Sequence, residues 1–200
     1  MGRLPLGYRP NIIYIKMDDF RTFKGWAPMT FLQSLASRTL TYVNGVCVAP
    51  LCAPNRRISY VGQHAQTGGV IDNGDGANVD WTQVWAHALR HNGYRTLLFG
   101  KHMNDWTKSG GGGWGSLTSH PWGFGHVECT SGAENYVGWD QCVNGVVTSY
   151  TGNDTSNYCT DVESTAIAAA IAAVKPPFAL YYGCKATHSD GNEAVPATRH

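Results

Sequence analysis

The sequence predicts an α/β fold with a largely parallel central sheet flanked by helices, and three observations carry that reading. Three short apolar runs, at 11–16, 95–100 and 178–183, read as strands, and the β-branched first of them has the pattern of a strand buried on both faces. Helical patterns precede the second and third runs, so helices alternate with apolar strands. Each run is followed at once by polar residues, as expected where strands of an open sheet end on a common rim. The whole of 1–200 reads as a single domain, with 109–160 as a Gly-, Trp- and Asn-rich irregular insertion within it.

The first strand is Asn11-Ile-Ile-Tyr-Ile-Lys16, and the acid pair Asp18-Asp19 follows it. In Pro50-Leu-Cys-Ala-Pro-Asn-Arg-Arg-Ile-Ser-Tyr-Val-Gly62, Pro54 suits the first position of a helix that Arg57 to Val61 can continue. Cys52 then sits just ahead of a helix N-terminus, which attracts anions and favours a reactive sulfur. The amphipathic stretch Trp81 to His91 and the stop Asn92-Gly93 lead into strand 95–100. The Ala-rich helix Asp161 to Val174 and the breaker Pro176-Pro177 lead into strand 178–183. Gly68 to Asn78 and Ser109 to Gly115 read as loops, and residues 129–159 have too little periodicity for any element. Trp106, Trp114 and Trp122 around Gly110–Gly113 favour a packed surface loop over a domain boundary.

Hydrophobic residues make up 42% of the chain and charged residues 14%, which allows a real core and a surface covered mainly by uncharged polar groups. A formal net charge of +1 provides no field to gather nucleic acid or an anionic membrane, so any anion site is local. No stretch is long and apolar enough to span a bilayer, and the start lacks the apolar region of an export signal. The six cysteines include no CxxC pair, which leaves the redox compartment open. Cys129, Cys142 and Cys159 share the Gly- and Asn-rich second half, where one disulfide has room to form.

The three strands bring Asp18 and Asp19, then Lys101, His102 and Asn104, then Lys185, Thr187 and His188 toward one rim. Taken singly these residues read as an Asp helix cap, a solvated lysine and a surface histidine, and Cys52 reads as a small core residue. Their joint occurrence points to a site.

The 50–62 stretch resembles the signature of the type I sulfatases, of the alkaline phosphatase superfamily: Cys-x-Pro-Ser-Arg and a helix ending in Thr-Gly. The counterparts are Cys52, Pro54 and Arg56, with Val61-Gly62 closing the helix. Asp18-Asp19 after the first strand is similar to that family's first metal-binding acid pair. Gly93-Tyr-Arg-Thr-Leu-Leu-Phe-Gly-Lys-His-Met-Asn104 resembles a Gly-Tyr-x-Thr…Gly-Lys segment of its N-acetylglucosamine-6-sulfatase-like branch. Tyr158-Cys-Thr-Asp161, Ala186-Thr-His-Ser189 and Pro196-Ala-Thr-Arg-His200 resemble further motifs in the family's order.

The resemblance implies hydrolysis of sulfate esters, with sulfated small molecules or carbohydrates as partners. It implies oxidation of Cys52 to formylglycine, with Asp18, Asp19 and position 52 holding Ca2+ or Mg2+. Arg56 would hold the nucleophile, and Lys101 and His188 would bind sulfate and assist the leaving alcohol. Two positions depart from the pattern: Asn55 stands where the family has Ser or another small residue, and His102 is not two residues beyond Lys101. The resemblance covers only the N-terminal portion of such enzymes, whose later acid or amide pair and second lysine lie beyond it. The 200-residue chain alone is therefore expected to bind the cation weakly and to be inactive. Two other readings remain at this level. One is a non-catalytic structural or carbohydrate-binding module, joined to other chains of a larger assembly such as a virion. The other is a phosphoryl-transfer relative using Cys52 as a thiolate.

Overall fold

The computed structural model describes residues 7–20, 29–104, 124–130, 135–152 and 155–188. The Gly110–Gly113 run, the three tryptophans around it and the Pro196–His200 motif lie outside these residues. Among the described residues six strands form one sheet: β1 (Ile12–Met17), β2 (Arg95–Lys101), β3 (His126–Thr130), β4 (Trp139–Val143), β5 (Val146–Tyr150) and β6 (Phe178–Cys184). Their order is β1-β6-β2-β3-β4-β5. Pairings from β1 through β3 are parallel, and β3-β4 and β4-β5 are antiparallel. The helices are α1 (Thr30–Ser34), α2 (Cys52–Val61), α3 (Trp85–His91) and α4 (Cys159–Ala173).

Side chains alternate across the two adjacent parallel strands β2 and β6. Leu98 and Tyr181 join Ala53 and Tyr60 of α2, Ala86 of α3, Phe124 and Val127 in one core. Leu97, Phe99, Phe178 and Leu180 point the other way, against Ala166, Ile167, Ala170 and Val174 on or just beyond α4. Helices thus cover both faces of β2 and β6, as a parallel sheet requires.

Three expectations need correction. Among the described residues β1 is an edge strand, paired to β6 alone, and Ile13 and Ile15 are 50% and 59% exposed. Its apolar run matched that of a strand buried on both faces, but burial depends on neighbours that the run does not encode. Within 129–159, where the sequence shows no element, β3 ends and a β-hairpin follows, β4 turning into β5 through Asn144-Gly145, both at positive φ. Cys142 and Cys159 are free thiols, where the sequence left room for a disulfide. The helix boundaries also shift: Cys52 is the first residue of α2 with Leu51 as its cap, which puts Pro54 in the third position. Gly62, at φ 69°, ends α2 in the left-handed conformation.

Candidate functional site

The site is assembled by strand ends. β1 ends at Met17, and pairing continues one residue further, with Asp18 N donating to Cys184 O at 3.2 Å. The Asp18 carbonyl in turn accepts from Thr187 N at 2.9 Å and Thr187 Oγ1 at 3.2 Å. The turn after β6 is thereby fastened to the end of β1. β2 runs parallel to both strands and delivers Lys101 at the same rim. α2 then lays its first turn across that rim, with Cys52 at its start.

Asp18 is the centre of a buried ion cluster. Its Oδ1 accepts from Arg56 Nη2 at 2.6 Å and its Oδ2 from Lys101 Nζ at 2.5 Å. Arg56 and Lys101 are fully buried and Asp18 is 6% exposed. Burial alone would push the Asp18 carboxyl up, but Arg56 and Lys101 hold it below the usual carboxylate range. Arg56 Nη1 also donates to Lys101 O at 2.6 Å. Arg56, expected to hold the group at position 52, therefore ties the first acid to the end of β2.

This guanidinium depends on glycine. A Cβ at Gly183 would lie 2.2 Å from Lys101 O and 2.5 Å from Arg56 Nη1. Across the sheet, Gly100 pairs with Gly183, at φ +76°, and a Cβ there would lie 2.5 Å from Gly183 O. The glycine pair leaves a notch in the sheet that Arg56 occupies.

Cys52 Sγ lies 3.5 Å from Lys101 Nζ and 4.0 Å from Asp18 Oδ2. It opens onto a hollow of about 300 Å3 lined by Lys16, Asp18, Asp19, Cys47, Cys52 and Asn55, among others. Asp19 stands at this mouth, 58% exposed and at φ 50°. His188 is held by its backbone, whose N donates to Lys185 O at 2.9 Å and whose carbonyl accepts from Tyr136 OH at 2.8 Å. Its Nε2 is 3.8 Å from Asp19 Oδ2.

The structure thus brings Asp18, Cys52, Arg56 and Lys101 together, with Asp19 lining the same hollow and His188 reached through Asp19. His102 points away, with Nδ1 2.9 Å from Tyr60 OH in the core, and burial and then Arg56 push it down to about 3. It is neutral at physiological pH. Lys16, which sequence reasoning left out, lines the hollow as well, and its one local signal is a cation at the end of an apolar strand. Burial and Arg56 push its ammonium down to about 8 against the pull of Asp18, Cys47 and Cys52.

A divalent cation does not fit the donors as they stand. Both Asp18 oxygens are engaged by cations, and calcium takes about 6 to 8 oxygen ligands. Among the described residues no group of three or more His, Cys, Asp and Glu side chains could hold a metal ion.

Two mammalian N-acetylglucosamine-6-sulfatases, from Capra hircus and Homo sapiens, are each 24% identical to the chain over 165 residues. Each match covers 77% of the chain and 29% of the relative. Arylsulfatase K of Rattus norvegicus is 25% identical over 105 residues, covering 50% of the chain and 18% of that protein. The chain thus spans about three-tenths or less of the length of these curated relatives. Among solved structures, a complex with the substrate D-glucosamine-2-N,6-O-disulfate superposes with a TM-score of 0.67 at 24% identity. That superposition covers 90% of the chain and 35% of the structure. A complex with a neocarrahexaose gives 0.69 at 22% identity, over 91% and 46%. These likenesses show the fold. Residues 10–199 match the Sulfatase family model, covering all of the ion cluster, and the chain belongs to the sulfatase family.

Proposed function

We propose that the chain carries the nucleophile side of a sulfate-ester hydrolase site, with Cys52 oxidised to formylglycine as the attacking group. The observation that carries this reading is the position of Cys52 at the first turn of α2, 3.5 Å from a buried lysine ammonium and above a carboxylate already fixed by two cations. A hydrated aldehyde at this position would place one hydroxyl to attack sulfur and the other to expel sulfate afterwards. Lys101 would meet the sulfate oxygens, and Arg56 would keep Asp18 and Lys101 in place as charge develops. His188 would stand at the mouth to assist the departing alcohol oxygen. Ca2+ or Mg2+ at Asp18 and Asp19 requires ligands beyond those present, and no step here is assigned to it.

The substrate class supported best is a sulfated carbohydrate, on the strength of the N-acetylglucosamine-6-sulfatase relatives and the solved relative bound to a glucosamine disulfate. No observation favours the structural-module or thiolate readings. The direct test is mass spectrometry of the peptide containing Cys52, since formylglycine is lighter than cysteine. It is paired with assays of a chromogenic aryl sulfate and a 6-sulfated glucosamine, using the chain alone, with calcium, and with any co-purifying partner. The chain alone is expected to be inactive, because losing one preorganised donor typically costs about 100- to 1,000-fold in rate. An unmodified Cys52 together with inactivity under every condition would sink the proposal. Turnover by the chain alone that disappears in Cys52→Ala would establish these residues as sufficient.

A further inference from the structure

None of the roles above uses Lys16, yet its ammonium is fully committed. It donates to Asn55 O at 3.0 Å, to Ser59 Oγ at 2.7 Å and to the Asn55 side-chain oxygen, three acceptors for three protons. Ser59 Oγ donates to Asn55 O at 3.0 Å, which closes the group on α2. Asn55 directs its other side-chain atom at the loop that precedes the helix. Its Nδ2 donates to Ala49 O at 2.7 Å and to Cys47 Sγ at 3.2 Å, and Cys47 Sγ lies 3.1 Å from Ala49 O. A continuous chain of hydrogen bonds thus runs from β1, through Lys16 and Asn55, to the 47–49 loop. Lys16, Cys47, Ala49 and Asn55 all line the hollow that Cys52 opens onto.

We propose that Lys16 and Asn55 act as one positioning clamp. Lys16 fixes the Asn55 amide, and Asn55 fixes the 47–49 loop against the first turn of α2, which sets the wall of the hollow beside Cys52. The residues depend on each other. With no proton donor at position 16, the Asn55 oxygen loses its partner and the amide is free to turn away from Ala49. With a short hydroxyl at position 55, the loop loses both of its contacts. If the hollow holds a sulfate ester, as the function proposed above requires, this wall bounds the space for its alcohol part.

The test uses the 200-residue chain with Lys16→Met, Lys16→Arg, Asn55→Ser and the Lys16→Met/Asn55→Ser double variant. Hydrogen exchange is followed by NMR at two amides of α2: Asn55, which donates to Leu51 O at the loop junction, and Gly62, which donates to Ile58 O at the far end. Each lost hydrogen bond is worth about a fivefold change in an opening equilibrium. The amide at position 55 is therefore expected to exchange at least about fivefold faster in Lys16→Met and in Asn55→Ser, with Gly62 unchanged. Lys16→Arg, which keeps its donors, should restore slow exchange. The double variant should be no faster than the faster single variant, because the two residues work as one unit. Equal acceleration at both amides, additive effects in the double variant, or wild-type exchange in both single variants would overturn the clamp. Where the protein turns over a 6-sulfated glucosamine, the same variants should raise KM with little change in kcat. If Cys52 proves unmodified and no condition gives turnover, the functional reading fails while the exchange data still decide the clamp.

Discussion

The floor of the site, Asp18 with Arg56 and Lys101, and its mouth, Asp19 with His188, are held by different means. At the floor, Asp18, Arg56 and Lys101 are shut away from solvent and locked by contacts of 2.5 and 2.6 Å. At the mouth, Asp19 and His188 are 58% and 32% exposed and 3.8 Å apart. In a buried cluster each charge needs its partner, because an unpaired ion there keeps its full desolvation cost. Exposed charges lose little when separated, because water replaces the partner. The buried charges are thus satisfied by one another, whereas Asp19 and His188 stay accessible from solvent.

Four measurements test that contrast. The largest is expected from Arg56→Met, which leaves Asp18 buried with one cation in place of two. Removing one partner of a buried ion pair costs about 3–5 kcal/mol. For a chain of this size that lowers the melting temperature by about 6–20 °C, measurable by calorimetry. A loss below about 1 kcal/mol would mean that the floor is open to water.

The second outcome concerns acid. His102 beneath the floor is held near 3, below its ordinary value, so the unfolded chain binds a proton that the folded chain refuses between those two pH values. Its contribution is fully present above the ordinary histidine pKa of about 6.5 and is lost as pH falls toward 3. Between pH 7 and pH 5 the loss is about 2 kcal/mol, read from urea midpoints. His102→Gln should flatten that slope, and an unchanged slope would contradict a buried neutral imidazole.

Third, calcium should add little to the melting temperature of the 200-residue chain, since the floor already occupies the Asp18 oxygens. Submicromolar binding by calorimetric titration would show that other ligands complete a site. The smallest effect is expected at the mouth, where His188→Gln should change stability by less than about 1 kcal/mol.

What the sequence disclosed followed the reach of its local patterns. β2, β6 and α4 were legible because an apolar run after a helix and a breaker carries its own boundaries. Asp18, Cys52, Arg56 and Lys101 were legible as a set through family motifs, and the parallel sheet explains why they meet. The exposure of β1 was not legible, because Ile13 and Ile15 look the same whether or not another strand lies beside them. The clamp was hidden for a related reason: Lys16 and Asn55 are 39 positions apart, and nothing local marks a lysine as the partner of a distant amide. β3 to β5 escaped because each is only five residues long and set among Gly- and Asn-rich turns, too short a run for the period-2 alternation on which strand recognition depends.

The glycine notch extends the vulnerability of the site beyond the residues that do its chemistry. Gly183 offers no functional group to a substrate, yet its missing side chain is the space in which the Arg56 guanidinium lies. A methyl group there would meet both that guanidinium and the Lys101 carbonyl, so Gly183→Ala would displace the arginine and shift two strands in one step. In a saturation-mutagenesis map, positions 100 and 183 should therefore stand out as intolerant as the charged residues they shelter, and a designer moving this ion cluster to another scaffold would have to move the empty space along with it.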